Sequence, residues 1–148
     1  MTNIWDKFNK DFDANEIQDN LKGDYKESID LPIGKYEAAP KRINFIVNKK
    51  GNPMAIMNFE VLEGDLKGEE FAIFQNCHNS QTVAILIQFL KTLDADGEQL
   101  EFTDFSTLVK DAETKFRSFV GHYEYVIDKR KNKNDFDEYK IEEIFVLE

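Results

Sequence analysis

The chain has 148 residues, 41% of them apolar, which is near the modal size of one domain and enough for one core without a disulfide staple. Its single cysteine, Cys77, excludes an intrachain disulfide, and no run approaches the roughly 18 apolar residues of a membrane-crossing helix. The net charge of −10, taken alone, argues against a nucleic-acid binder, because phosphate contacts need Lys and Arg.

Trp5, Phe8 and Phe12 stand at helical spacing and are followed by Ile17 and Leu21. They predict an N-terminal amphipathic arm or helix. Gly23 to Asp30 is polar and reads as a linker, so residues 1–30 are set apart from a folded domain over residues 31–148. The opening, Met1 to Lys7, has no basic segment followed by an apolar run. It predicts a cytoplasmic protein with no secretory leader.

Thirteen Phe, five Tyr and one Trp favour β structure. Residues 33–47 read as a long first strand in which Pro40, lacking a ladder donor, marks a bulge, a bend or an edge. Asn48-Lys49-Lys50-Gly51-Asn52-Pro53 is dense in turn residues and predicts a hairpin. In the second strand, residues 54–62, Ala55, Met57, Phe59 and Val61 alternate with Met54, Ile56, Asn58 and Glu60. The third strand covers residues 69–76, with Phe71 and Ile73 on one parity and Phe74 on the other.

The period then changes. Asn79 or Ser80 caps a helix whose Val83, Ile85, Leu86, Ile87, Phe89, Leu90 and Leu93 are apolar nearly all round, which predicts deep burial. Thr103 or Asp104 caps a second helix. Its Phe105, Leu108, Val109, Ala112 and Phe116 form one clean face. Residues 119–128 return to strand character, 128–135 read as a polar loop, and the last strand runs from about Asp137 to Leu147. The apolar set of that strand switches parity between Ile141 and Ile144, so a bulge is expected near Glu142-Glu143.

Three strands, a helical segment and two strands make the element order of an OB-fold, a mainly β, five-stranded Greek-key barrel with a helical insertion between strands 3 and 4. A split α+β sheet shares that order. OB-folds bind oligonucleotides on strands 2–3 and on the loops joining strands 1–2 and 4–5. In this assignment those loops hold Lys49 and Lys50, and Lys129, Arg130, Lys131 and Lys133, which is six of the nineteen basic residues. Lysines in solvated hairpin loops also discourage edge pairing, and that ordinary reading stands beside the functional one. Candidate base-stacking aromatics are Phe74, Tyr125, Phe136 and Tyr139, with Phe136 set in a polar loop where no core needs it.

Leu31-Pro32-Ile33-Gly34-Lys35-Tyr36-Glu37-Ala38 resembles the P-x-G-x-Y-x-A opening of a family of small bacteriophage proteins. Lys50-Gly51-Asn52-Pro53-Met54 is similar to the hairpin of that family. Phe59 to Gly64, followed by Lys67-Gly68, is similar to its next segment. The resemblance covers about residues 1–75. It implies an OB-fold single-stranded-DNA-binding protein of phage replication and recombination modules, and it carries no functional-residue motif of its own.

Cys77, His78 and His122 lack paired ligand spacing, so no zinc and no other cofactor is expected. The sequence thus points to a non-enzymatic, sequence-independent binder of single-stranded DNA, with replication or recombination proteins as further partners through the N-terminal arm. Nothing in the pattern opposes a homo-oligomer. Two readings compete with it: an acidic protein-interaction module or DNA mimic, and a Mg²⁺-dependent nuclease built on Asp128, Glu138 and Lys140.

Overall fold

A computed structural model describes residues 28–148. The expected N-terminal arm and most of its linker lie outside the described residues. The described chain forms β1 (Gly34–Val47), β2 (Pro53–Val61), β3 (Glu70–Asn76), α1 (Ser80–Thr92), α2 (Phe105–Phe119), β4 (Tyr123–Lys131) and β5 (Asp137–Val146). The five strands make one antiparallel sheet in the order β3-β2-β1-β4-β5. No helix among the described residues is long and apolar enough to cross a membrane.

The long β1 is shared by both halves of the sheet. Gly34–Ala38 pairs with β4, and Ala38–Val47 pairs with β2. The register shifts between Pro40 and Arg42, where the proline removes a ladder donor and lets the strand bend. A second shift lies in the β4–β5 ladder, which passes from Val126↔Glu143 to Ile127↔Ile141 and leaves Glu142 as the extra residue. It lies where the parity switch of the last strand placed it. The edge strands β3 and β5 come together through Phe71 and Tyr139, whose rings stack with centroids 6.3 Å apart. The sheet therefore curls into a barrel-like shape.

The inward parity of each strand fills the interior. Phe59 lies at its centre, against Phe71 at 5.6 Å, Phe116 at 5.9 Å and Tyr125 at 6.2 Å. Each fully buried aromatic of this kind contributes about 2–3 kcal/mol of transfer free energy. The buried Tyr125 hydroxyl donates to the Leu93 carbonyl at 2.8 Å, which ties the end of α1 to β4 and leaves no polar atom stranded. Tyr125 is thus a core residue, which corrects its place among the base-stacking candidates.

The α1 helix starts at a complete capping box. Asn79 Oδ1 accepts from the Thr82 amide at 2.8 Å, and the Asn79 amide donates to Thr82 Oγ1 at 3.1 Å. Only Leu86, Ile87 and Leu90 of this helix are buried, whereas Ile85 is 43% exposed. This corrects the expectation of burial all round. The helix packs on β3 through one side, and no further element among the described residues covers the other. The single face of α2 behaves as its spacing predicts, with Leu108, Ala112, Phe116 and Phe119 buried.

Candidate nucleic-acid interface

Two five-residue hairpin loops, Asn48–Asn52 and Asn132–Phe136, share one hydrogen-bond frame. In the first, Asn48 Oδ1 accepts from the Lys50 and Asn52 amides, both at 3.0 Å. In the second, Asn132 Oδ1 accepts from the Asn134 and Phe136 amides at 2.8 and 3.1 Å. The Asn48 amide donates to the Asn52 carbonyl at 2.8 Å, and the Asn132 amide donates to the Phe136 carbonyl at 2.9 Å. The fourth residue of each loop has a left-handed backbone, Gly51 at φ 82° and Asp135 at φ 65°. An asparagine first and a left-handed residue fourth are what such a turn requires. The loops hold Lys49, Lys50 and Lys133 exposed at their tips.

Between the first loop and β3 lies the outer face of β1–β2–β3. Cross-strand pairing places Asn44, Ile56 and Phe74 in one row, Ile46, Met54 and Asn76 in the next, and Arg42, Asn58 and Ala72 on the other side. Phe74 is 62% exposed. The carboxylates on outward positions of the three strands, Glu37, Glu60 and Glu70, lie toward one end. Two of them are neutralised there, Glu60 by Lys41 at 3.6 Å and buried Glu70 by Arg42 at 2.7 Å. In a chain of net charge −10, the rows through Phe74 and Met54 carry apolar and amide side chains and no acid.

The end of β3 separates two grooves. One, of about 530 Å³, is lined by Phe74, Gln75, Ile85, Phe89, Arg130 and the start of β5 from Asp137 to Lys140. The other, of about 380 Å³, is lined by Asn48, Lys49, Lys50, Asn52, Asn76 and His78. Phe74 and Arg130 thus share one groove, Lys49 and Lys50 share its neighbour, and Phe136 (67% exposed) and Lys133 project from the second loop.

The β4–β5 ladder is longer than its polarity suggests. Strand β4 runs to Lys131, so Lys129, Arg130 and Lys131 are strand residues rather than loop residues, which corrects their predicted placement. Opposite charges face each other along the ladder, with Asp128↔Lys140, Arg130↔Glu138 and Lys131↔Asp137, and such pairs support a strand that lacks apolar residues. Two of these cations, Arg130 and Lys131, are engaged. Lys131 Nζ lies 2.8 Å from Asp137, and Arg130 holds Asp128. Arg130 keeps the Asp128 carboxyl below the usual carboxylate range, and Lys131 does the same for Asp137.

Lys129 is 3% exposed, and its ammonium donates to the Leu31 carbonyl and to Asp30 at 3.2 Å, with Tyr139 beneath it. Burial alone pulls this ammonium down. Tyr139, Asp30 and Asp137 outweigh that and hold it above the usual lysine range. Lys129 fastens the segment that enters β1 and does not present its charge to solvent.

The sequence pattern missed Asn44, Ile46 and Asn76 of the outer face, and also Gln75, His78 and Lys140 in the grooves. A signal for the face was present in β2, where Met54 and Ile56 make the second parity apolar too, so one apolar set had to lie outside. Among the described residues, no three His, Cys, Asp or Glu side chains cluster to hold a metal. Asp128, central to the nuclease reading, has its carboxylate occupied by Arg130. Comparison with known proteins finds no family model and no curated protein that matches the chain.

Proposed function

We propose that this chain is a single-stranded-DNA-binding protein of OB type, independent of sequence and without chemistry of its own. The strand order β3-β2-β1-β4-β5, with β1 shared and helices between β3 and β4, supports the Greek-key barrel. The observation that carries the function is the outer face of β1–β2–β3, whose rows through Phe74 and Met54 carry no acid and whose exposed Phe74 ring shares one groove with Arg130, beside a second groove that holds Lys49 and Lys50. Bases stack on exposed rings and amides accept their edges, while flanking cations follow the phosphates, so any sequence is tolerated. In this reading Lys49, Lys50, Phe74, Arg130, Lys131, Lys133 and Phe136 meet the strand, and Lys129 supports them from beneath. The phage replication and recombination setting follows from the family resemblance of residues 31–68.

The deciding measurement is fluorescence anisotropy of a labelled strand of about 30 nucleotides at two salt concentrations, with a duplex of the same length as control. Binding that prefers the single strand, tolerates any sequence and weakens with salt is expected. Phe74→Ala should weaken it by about 1–3 kcal/mol, the stacking contribution of one base. No binding at low salt would overturn the proposal and leave the acidic surface as the functional feature.

A further inference from the structure

A second surface lies away from the grooves of the proposed nucleic-acid interface, where the α1–α2 connection, α2 and the ends of β4 and β5 enclose a cleft of about 730 Å³. Its apolar lining is Leu100, Phe119, Tyr123, Val146 and Leu147. Val146 is 64% exposed although it ends a strand, and Leu147 is fixed beside it by its amide, which donates to the His122 carbonyl at 2.8 Å. Exposed branched residues held in a cleft by backbone hydrogen bonds are a preformed anchor site.

The rim of the cleft has one sign of charge. Asp94, Asp96, Glu98 and Asp111 line it, with Lys115 as its one lysine. Lys115 is consumed by Asp94, at 2.7 Å with both side chains nearly buried. Asp96, Glu98 and Asp111 have no ion-pair partner among the described residues. The cleft therefore joins an apolar floor to three uncompensated carboxylates.

We propose that this cleft docks a short extended segment of a partner protein that carries alternating basic and large apolar side chains. Charge complementarity selects that occupant. Phosphates are repelled by the rim, and a second copy of this chain, at net charge −10, offers a poor match. The apolar side chains of the segment would sit on Val146, Leu147 and Leu100, and its cations on Asp96, Glu98 and Asp111.

The test uses the full chain and two fluorescein-labelled synthetic peptides of equal length and charge, one alternating Arg and Leu and the other alternating Arg and Ser. The Arg–Leu peptide is expected to bind saturably and at least about tenfold tighter than the Arg–Ser peptide, because only the former buries apolar area. Val146→Asp and the pair Glu98→Lys with Asp111→Lys should each remove that preference, with an unchanged thermal transition as evidence that the fold is intact. Equal affinity for the two peptides would overturn the proposal, because it would show diffuse attraction to an acidic protein only. Unchanged binding by both variants, or no binding at all, would overturn it as well.

Discussion

The two hairpin loops have the same backbone and differ in what stands beneath them. Asn48–Asn52 and Asn132–Phe136 use the same asparagine side-chain bonds and the same left-handed fourth residue. Below the first loop the outer face is apolar and amide-bearing, so Lys49 and Lys50 stand without carboxylates in their groove. Below the second, acids of the β4–β5 ladder hold the cations, Arg130 by Asp128 on its own strand and Lys131 by Asp137 on the facing one. A count of basic residues treats the two regions alike, and even favours the second. The structure shows that much of the basic charge of the second region is spent internally. Charge available to a ligand depends on the partners of each side chain.

Substitutions in and beneath the two loops test this contrast. The largest effect is expected at Lys129, the most internal cation. Lys129→Met leaves the Leu31 carbonyl without its donor and should cost about 2 kcal/mol, read as a lower midpoint in urea. Because the folded pKa of Lys129 is raised, its contribution is complete at neutral pH. It is lost only as pH climbs above about 10.4 and through the raised value. The Lys129→Met chain should therefore lack this part of the alkaline loss of stability seen in the parent chain.

Next in size is the charge at the first loop. Lys49→Glu with Lys50→Glu should weaken single-strand binding roughly tenfold and lower the salt slope by about 1.4, that is about 0.7 for each phosphate contact removed. Lys131→Ala should change both quantities less, because Asp137 already holds that ammonium. Equal losses at the two loops would show that the ladder pairs open on binding, and the contrast between the loops would fall.

The left-handed fourth residue gives the smallest pair of effects. No atom lies within 4 Å of a side-chain carbon built at Gly51, so Gly51→Ala meets only the conformational cost, about 1 kcal/mol of stability. Asp135→Gly should act in the opposite direction, with a gain of a few tenths of a kcal/mol, since aspartate tolerates this conformation at a modest cost. Opposite shifts of the thermal midpoint are the signature of a shared turn. Shifts in the same direction would mean that the two loops are not equivalent.

Much of this architecture was legible in the residue pattern. Alternation in β2, the i, i+3, i+4 face of α2 and the bulge near Glu142 report local geometry, which the chain imposes over a few residues; between Asn79 and Ser80, between Thr103 and Asp104, and between a bulge, a bend and an edge at Pro40, the structure made the choice. The β4–β5 boundary was not legible from composition, because Asp128–Lys131 is polar and its strand character comes from the facing residues Asp137–Lys140. The exposure of Ile85 on α1 was hidden for a similar reason. An apolar side chain is buried only where another element arrives to cover it, and periodicity cannot count the layers around a helix.

The candidate site divides along the same line. Local pattern alone places Lys49, Lys50, Lys133 and Phe136 on exposed turns, because asparagine, glycine and aspartate fix those turns within a few residues. It also determined that Phe74 would oppose Phe71 and Ile73 across the sheet, because side chains in a strand alternate. Long-range packing makes Lys129 an internal fastener, brings Arg130 into one groove with Phe74, and neutralises Glu60 and Glu70 at one end of the face. Those outcomes depend on which strands lie side by side, since a charged group acts through neighbours that are distant in sequence and a few ångströms away in space.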